Sequence, residues 1–169
     1  MSVKKRGISA IVTLMLIFSL VAITETDTKA AEEAKAKSTE ELPMIDGSYL
    51  IKEGESIGAT IPMTRGEDLM TGYSKVRRLG AGEIYAGGTT IAAHTVDRIG
   101  VGVIVERAKE EDTSWEFWDA WQKFNENTDR VASSKRLQVE GGYYYRTRCI
   151  HSAGNDTGSS FTDGVFVQP

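Results

Sequence analysis

Short runs of alternating side chains, separated by glycine, constrain this chain more than any other feature of its sequence. Residues 101–106 read VGVIVE, so that every second position is a valine. Alternation with a period of two is typical of a β-strand with one buried face. Glycine clusters punctuate the runs, and we assign Gly80-Ala81-Gly82 and Gly87-Gly88 to turns. Several short strands at this spacing predict an all-β fold, either a β-sandwich or a barrel.

The segment Ser114–Phe124, SWEFWDAWQKF, fits two kinds of structure. Its apolar positions follow the spacing of an amphipathic helix, and Thr113 with Glu116 forms an S/T-x-x-E capping box. Aromatic residues are enriched in strands, however, and the acidic turn before the segment would return the chain from the strand at residues 101–107 as a hairpin. We favour the strand, and the helix is the alternative.

The N-terminus carries the pattern of an export signal. Three basic residues at positions 4–6 precede an apolar run from Ile8 to Ile23. This run is shorter than the about 20 apolar residues that a membrane span requires. We therefore predict a signal peptide over residues 1–30, with a retained anchor as the alternative. The mature chain is expected to be secreted, and either extracellular or associated with the cell surface.

Composition divides the rest of the chain into a spacer and one domain. Residues 31–45 are rich in charge and poor in bulky apolar side chains, which predicts a flexible spacer. Residues 46–169 hold most of the 17 glycines and are predicted to form the β-sandwich domain. Cys149 is the only cysteine. The domain therefore has no intrachain disulfide and relies on its core for stability.

The charge balance argues against several classes of partner. Without residues 1–30 the chain has 16 Lys and Arg against 22 Asp and Glu, a net charge of −6. An acidic chain without a basic block is poorly suited to bind phosphate backbones or an anionic membrane surface. We expect no nucleic-acid partner and no stable membrane insertion after signal cleavage.

The C-terminal part resembles a fibronectin type III-like sandwich. LQVEGGYYYRTRCIHSAGN, which begins at Leu137, is similar to the E–F corner and F strand of that family, with Tyr143 as the corner tyrosine. The resemblance implies an immunoglobulin/fibronectin type III-like β-sandwich. Over nearly all of the mature chain, the order of TGYSKVRRLG, IYAGGTTIAAHTVD, VIVERA and GGYYYR is similar to a family of small secreted Gram-positive proteins that share a domain of unknown function. That second resemblance implies secretion and says nothing about activity.

The reactive residues near the C-terminus do not form a recognisable catalytic motif. Cys149 and His151 are two positions apart on a predicted strand, so their side chains share a face at a separation of about 7 Å. A Cys–His catalytic pair needs hydrogen-bond contact and a third group that orients the base. We interpret Cys149 as a buried free thiol. Two histidines and one cysteine also lack the spacing of a zinc site, and we expect neither a metal nor a cofactor.

Carboxylates are the remaining candidates for catalysis. Glu106, Glu116, Asp119 and Glu140 can be paired in many ways, and a glycoside hydrolase needs two such groups that face each other across a cleft. The sequence has neither a G-x-S-x-G nucleophile elbow nor an HExxH zinc motif. A small secreted hydrolase that uses carboxylates is therefore an alternative to the main hypothesis.

An aromatic cluster supplies the main candidate for a site. If the strands alternate, Trp118, Tyr143 and Tyr145 face the core. The opposite parity then forms an exposed face that mixes aromatic rings with arginine, and its members are Phe117, Trp121, Tyr144, Arg146 and Arg148. Such a face can bind a protein or a glycan. Cross-strand packing that only stabilises the sheet is the alternative.

These observations lead to one main hypothesis about function. We expect a secreted, non-catalytic β-sandwich module that binds an extracellular protein or glycan at or near the cell surface. The alternatives are the hydrolase and a passive envelope or matrix component without a discrete ligand. The sequence does not name the partner.

Overall fold

The computed structural model describes residues 42–62 and 66–169, and every regular element within them is a β-strand. The all-β prediction is therefore confirmed. These two ranges contain no helix that is long and apolar enough to cross a membrane. The strands are β1 Met44–Ile45, β2 Ser48–Ile51, β3 Glu55–Ala59, β4 Ile61–Pro62, β5 Leu69–Gly80, β6 Glu83–Ala108, β7 Glu116–Gln138, β8 Tyr143–Ala153, β9 Asp156–Phe161 and β10 Gly164–Val167.

The described residues cover the predicted domains only in part. The signal peptide at residues 1–30 and most of the spacer at residues 31–45 lie outside them. Met44 and Ile45, at the end of the predicted spacer, form β1 and pair with β2. The compact region runs from Leu42 to Pro169. Strand structure is therefore present at Met44 and Ile45, before the predicted boundary at residue 46.

A long hairpin of β6 and β7 organises the sheet. β7 pairs with one edge of β6 over most of its length. On the other edge, the first half of β6 pairs with β5 and the second half pairs with β8. The ladder between β6 and β7 is interrupted between Ile91 and Val96. The hairpin bends at this interruption, and the ten strands form one curled, mixed sheet in which the β5 half packs against the β8 half.

The core lies between these two halves of the sheet. Side chains alternate along each strand, so every second residue of the hairpin points inward. Val76, Ile84 and Ala86 of the first half share a buried cluster with Val105 and Tyr145 of the second half. A second cluster continues the core and includes Ile99, Val101, Val103, Val131 and Cys149. We call the side of the sheet that faces this core the inner face and the opposite side the outer face.

The short strands β1, β2 and β10 cover one corner of the outer face. β10 pairs antiparallel with β8 and parallel with β2, which makes the sheet mixed. A third buried cluster forms there from Ile45, Leu50, Ala108 and Tyr144. The N-terminal end of the described chain is thus packed onto the end of β8.

Two local predictions can be compared directly with the strands. β7 covers the segment Ser114–Phe124 from Glu116 onward, so the strand prediction is confirmed there and the helix alternative is wrong. The turn between β5 and β6 lies at Gly80-Ala81-Gly82, as predicted. The turn assignment for Gly87-Gly88 is wrong, because both residues lie inside β6.

Gly88 shows why glycine is needed inside this strand. A Cβ atom at Gly88 would lie 2.5 Å from Sγ of Cys149 and 2.9 Å from Cγ2 of Val101. Both neighbours belong to the second half of the sheet, across the core from Gly88. The missing side chain therefore allows the two halves to approach each other closely.

We expect Gly88→Ala to lower the free energy of unfolding by about 1–3 kcal/mol, because an added methyl group would overpack a filled core. Gly102→Ala is the matched control, since a Cβ there would meet Ile150 at an ordinary 3.8 Å. Urea denaturation measures both. Adding Cys149→Ala to Gly88→Ala should restore part of the loss. Wild-type stability of Gly88→Ala would contradict the close approach.

Candidate functional site

The structure separates the five residues that the sequence assigns to one exposed face. Phe117 is 64 % exposed and the side chain of Arg148 is 42 % exposed, both on the outer face. Tyr144 and Arg146 are buried, and Trp121 packs against the core. The predicted exposure is therefore wrong for these three residues.

A β-bulge in β7 turns Trp121 inward. The ladder between β6 and β7 shifts by one residue between Val105 and Glu106, which leaves Trp118 without a partner position. An extra residue reverses the alternation of faces for every residue beyond it. Trp121 consequently pairs with Val103 and faces the core. The sequence prediction assumes uninterrupted alternation through this segment. It therefore places Trp121 on the outer face, whereas the bulge at Trp118 places it on the inner face.

Three aromatic residues pack against the core as predicted. Trp118 and Tyr143 lie against the cluster that contains Tyr145, and the Trp118 ring meets the Tyr145 ring edge-on with centroids 6.0 Å apart. The Tyr145 hydroxyl donates a 2.9 Å hydrogen bond to the backbone oxygen of Glu140. A bond of this kind to the upstream backbone is the contact made by a corner tyrosine. Tyr145 makes this bond to Glu140, and the corner role that the resemblance implies for Tyr143 stays a prediction.

Arg146 lies on the outer face but is covered. Its Nε donates a 2.8 Å hydrogen bond to Glu106, and its Nη2 donates a 3.1 Å bond to Asp46. The ring centroid of Trp115 lies 4.6 Å from its guanidinium carbon. Removal of one of these partners would destabilise the folded protein, because it would leave a buried charge without compensation. Arg146 therefore holds the segment around Asp46 against the sheet and is not accessible to a ligand.

Tyr144 is covered by the same segment. It lies in the third buried cluster with Ile45 and Leu50, and its ring centroid is 5.0 Å from that of Phe166. Burial raises the pKa of the Tyr144 hydroxyl, so this group stays protonated well into the alkaline range. The sequence shows that Tyr144 points outward, but it does not show that β1 and β2 pack over it.

The exposed part of this side of the molecule is a broad apolar surface. Ile61 is 59 % exposed, Ile150 is 48 % exposed and Phe124 is 42 % exposed, and they join Phe117 on neighbouring strands. Ile104 of β6 lies between them and is half-buried. We call this surface the outer apolar face, and its members are Ile61, Ile104, Phe117, Phe124 and Ile150.

Two glycines give the outer apolar face a low centre. Gly100 and Gly102 of β6 lie between β7 and β8, where Gly102 pairs with Ile150. The ring of Phe124 lies over Gly100, in the space that a Cβ atom would occupy. The guanidinium carbon of Arg98 lies 4.1 Å from the centroid of that ring. The result is a low centre with the Phe124 ring at the β7 side and the Ser152 side chain at the β8 side.

Arg148 brings charge to the border of this surface. Its Nη2 donates a 2.9 Å hydrogen bond to Oε1 of Glu106, and the same carboxylate accepts from Arg146. Arg148 and Arg146 therefore share the carboxylate of Glu106, so Arg148 can bind a further anionic group. Ile104 and Ile150 have the same parity as Arg148 and could have been found in the sequence by following that parity along both strands.

Cys149 and His151 are buried and bonded within the core. Desolvation raises the pKa of the Cys149 thiol to about 12 and lowers the pKa of His151 to about 4, so both are neutral at pH 7. The Thr90 hydroxyl donates to the backbone oxygen of Gly100 and accepts from Nδ1 of His151 at 2.8 Å, while Nε2 accepts from the Ser160 hydroxyl at 2.8 Å. The interpretation of Cys149 as a buried free thiol is confirmed.

The four candidate catalytic carboxylates all have basic partners. Glu116 and Glu140 lie 2.7 and 2.8 Å from the guanidinium group of Arg107. Asp119 lies 3.4 Å from the ammonium group of Lys135. The fourth, Glu106, accepts hydrogen bonds from both Arg146 and Arg148. Glu106 and Glu116 thus connect neighbouring strands, whereas the contact between Asp119 and Lys135 joins two parts of β7.

Two shallow cavities lie away from the outer apolar face. One has a volume of about 420 Å³ and contains Asp68 and His94, whose Oδ1 and Nε2 atoms are 3.1 Å apart. The other has a volume of about 400 Å³ and is lined in part by Lys52, Lys109 and Tyr144. Within residues 42–62 and 66–169, no three His, Cys, Asp or Glu side chains come together closely enough to hold a metal ion.

No known family model matches this chain, and no curated protein is significantly similar to it. The resemblances to fibronectin type III-like sandwiches and to small secreted Gram-positive proteins therefore stay predictions. Function has to be inferred from the geometry of the chain's own residues.

The buried His151 predicts a defined pH dependence of stability. Its pKa is about 4 when folded and 6.5 when free, so the unfolded state binds the proton more readily between these values. Stability should therefore fall as the pH drops from about 6.5 to 4, by about 3 kcal/mol from this group. Urea denaturation at several pH values measures the effect. His151→Asn should flatten this part of the profile, whereas His94→Asn should leave it unchanged, and identical profiles for the two variants would contradict the assignment.

Proposed function

We propose that this protein is a non-catalytic binding module that holds a protein partner at or near the cell surface through its outer apolar face. The exposure of four large apolar side chains on the outer side of β4, β8 and β7 carries the proposal. A group of large apolar side chains exposed on one side of a small domain is characteristic of an interaction site. Single exposed apolar residues would carry no such meaning.

The chemistry of the face favours a protein over a glycan. Its centre holds Ile104 and Ile150 beside two glycines, with Gln122 and Ser152 as polar neighbours. Phe117 and Arg148 stand at its borders, and aromatic and arginine side chains are enriched among the residues that dominate protein interfaces. A partner with an apolar patch and a carboxylate near Arg148 would match this pattern.

Export is part of the proposal and is supported by the sequence. The basic residues and the apolar run within residues 1–30 have the layout of a secretory signal peptide. Export would place the outer apolar face outside the cell. The partner would then be a secreted protein or a protein of the cell surface.

We also infer a relationship in fold to immunoglobulin/fibronectin type III-like sandwiches. The hydrogen bond from Tyr145 to Glu140 supports this inference, because it has the form of a tyrosine corner. The packing of β5 against β8 across the core supports it as well. Such domains commonly use exposed sheet faces or loops as binding surfaces.

A hydrolase and a passive envelope component remain the alternative functions. For a hydrolase, one carboxylate must be protonated while a second faces it across the substrate. Glu116 and Glu140 instead share Arg107, whose guanidinium group lies between them where a substrate would have to bind. This observation favours the binding module.

The outer apolar face can be tested with a matched pair of double variants. Phe117→Ser with Ile150→Ser changes two exposed members of the face, whereas Ile57→Ser with Tyr73→Ser changes two comparably exposed apolar residues elsewhere. The immobilised mature protein is incubated with the envelope and secreted fractions of the native host. We expect a specific protein to bind the wild type and the control and to be lost, by about tenfold or more, from the face variant.

Equal capture by the face variant and the wild type would contradict this role for the outer apolar face. Urea denaturation of both double variants keeps a loss of binding separate from a loss of folding. Turnover of a glycan substrate that is abolished by Glu116→Gln alone would instead support the hydrolase.

A further inference from the structure

β7 is an edge strand along its 23 residues. In the described part of the chain it pairs only with β6, so its other edge has no strand partner. An open edge of this length is a template for pairing with a further strand. Bulges and lysines often protect such edges, and β7 has a bulge at Trp118 and an exposed lysine at Lys123.

The regular part of this edge begins directly after the bulge. From Asp119 to Asn125 the partners on β6 run from Val105 to Ile99 without a shift. Seven residues in regular extended geometry span about 24 Å. This length is sufficient for several backbone hydrogen bonds to a second strand.

We propose that this edge pairs with the same edge of a second copy of the chain, antiparallel and about a two-fold axis at Trp121. In this arrangement Asp119 of each copy lies opposite Lys123 of the other. Both side chains are on the inner face, because they share the parity of Trp121. Symmetry makes the contact twice, so each copy contributes one acidic and one basic member.

The charges of Asp119 and Lys123 favour this register over registers with the two-fold axis at another residue of the segment. Residues opposite each other in an antiparallel pair must point to the same side, so the register can change only in steps that keep the parity. An axis at Asp119 or at Lys123 would place that residue opposite its own copy, which brings like charges together. An axis at Ala120 or Gln122 leaves Asp119 without a lysine partner. The axis at Trp121 is the one in this segment that pairs opposite charges.

The charges of Asp119 and Lys123 are available for this contact. Within one copy they are separated along the strand by Trp121 and its neighbours, and no ion pair joins them in the described part of the chain. Oδ1 of Asp119 accepts a 2.8 Å hydrogen bond from the N–H of Ala120, and Oδ2 lies 3.4 Å from the ammonium group of Lys135. The side chain is still 36 % exposed, so its charge can also be reached by a lysine of a second copy. Lys123 is exposed and makes no ion pair among the described residues.

The paired edges would extend the sheet from one copy into the next. The two Trp121 rings would lie side by side on the inner face, an arrangement that favours cross-strand pairing. The two outer apolar faces would lie on the same side of the combined sheet. One strand pair buries less than the roughly 1,600 Å² of a standard stable interface, so we expect a reversible dimer. This inference does not depend on the protein partner proposed above.

Charge substitutions at the two positions test the register. Lys123→Asp alone and Asp119→Lys alone each bring two like pairs together and should weaken dimerisation by about tenfold or more. The combined variant Asp119→Lys with Lys123→Asp exchanges the two charges and should restore the dimer. Lys52→Asp makes the same change in charge at an exposed lysine outside β7 and should leave the dimer intact.

Sedimentation of the purified mature protein over a range of concentrations measures the oligomeric state, and circular dichroism confirms that each variant is folded. The expected result is a concentration-dependent dimer that each single variant loses and the combined variant recovers. A wild type that stays monomeric up to the highest soluble concentration would overturn the proposal. So would a dimer that both single variants retain, because its interface would then lie elsewhere. The measurement uses the purified protein alone, so its outcome is separate from that of the partner-binding experiment.

Discussion

The contact between Gly88 and the opposite half of the sheet is the constraint on which the rest of this structure depends. A hairpin as long as β6 and β7 would be a flat ribbon with two exposed faces if it did not bend. Because Gly88 has no side chain, Cys149 and Val101 can come close to its backbone. The two halves then exclude water from one continuous core without a disulfide.

This packing also determines where reactive groups can act. Cys149 and His151 lie inside the closed sheet, where desolvation keeps both of them neutral. The charged residues at the outer corner stabilise the fold. Arg146 connects Glu106 with Asp46 beneath the N-terminal segment. The accessible surface includes the outer apolar face and the open edge of β7. Both are suited to contacts with proteins.

Local alternation predicted much of the fold. The all-β class, the strand over Glu116–Phe124 and the core positions of Trp118 and Tyr145 follow from neighbouring residues alone, and the structure confirms them. The same reasoning failed at the bulge, because one extra residue reverses the parity and places Trp121 inside. Bulges depend on pairing between strands and leave little trace in a single strand's sequence.

The candidate site was harder to predict because exposure depends on the whole chain. Parity placed Tyr144 and Arg146 on the outer face, but their burial comes from β1 and β2, nearly 100 residues away in sequence. The sequence likewise predicted a turn at Gly87-Gly88. Gly88 instead lies within β6, where its small size allows a contact across the core that the local sequence does not reveal. Phe117 and Arg148 remain exposed because no other segment among residues 42–62 and 66–169 covers them.

The most direct test of this account is an engineered disulfide between Gly88→Cys and the native Cys149. A Cβ atom at position 88 lies within disulfide reach of Sγ of Cys149. Gly87→Cys is the control, because residue 87 points to the outer face. After oxidative refolding, mass spectrometry of the folded Gly88→Cys protein should show the loss of two hydrogens and a cross-linked peptide pair, and Gly87→Cys should keep two free thiols. A folded Gly88→Cys protein with both thiols free, or a cross-link in Gly87→Cys instead, would contradict the packing of the two halves.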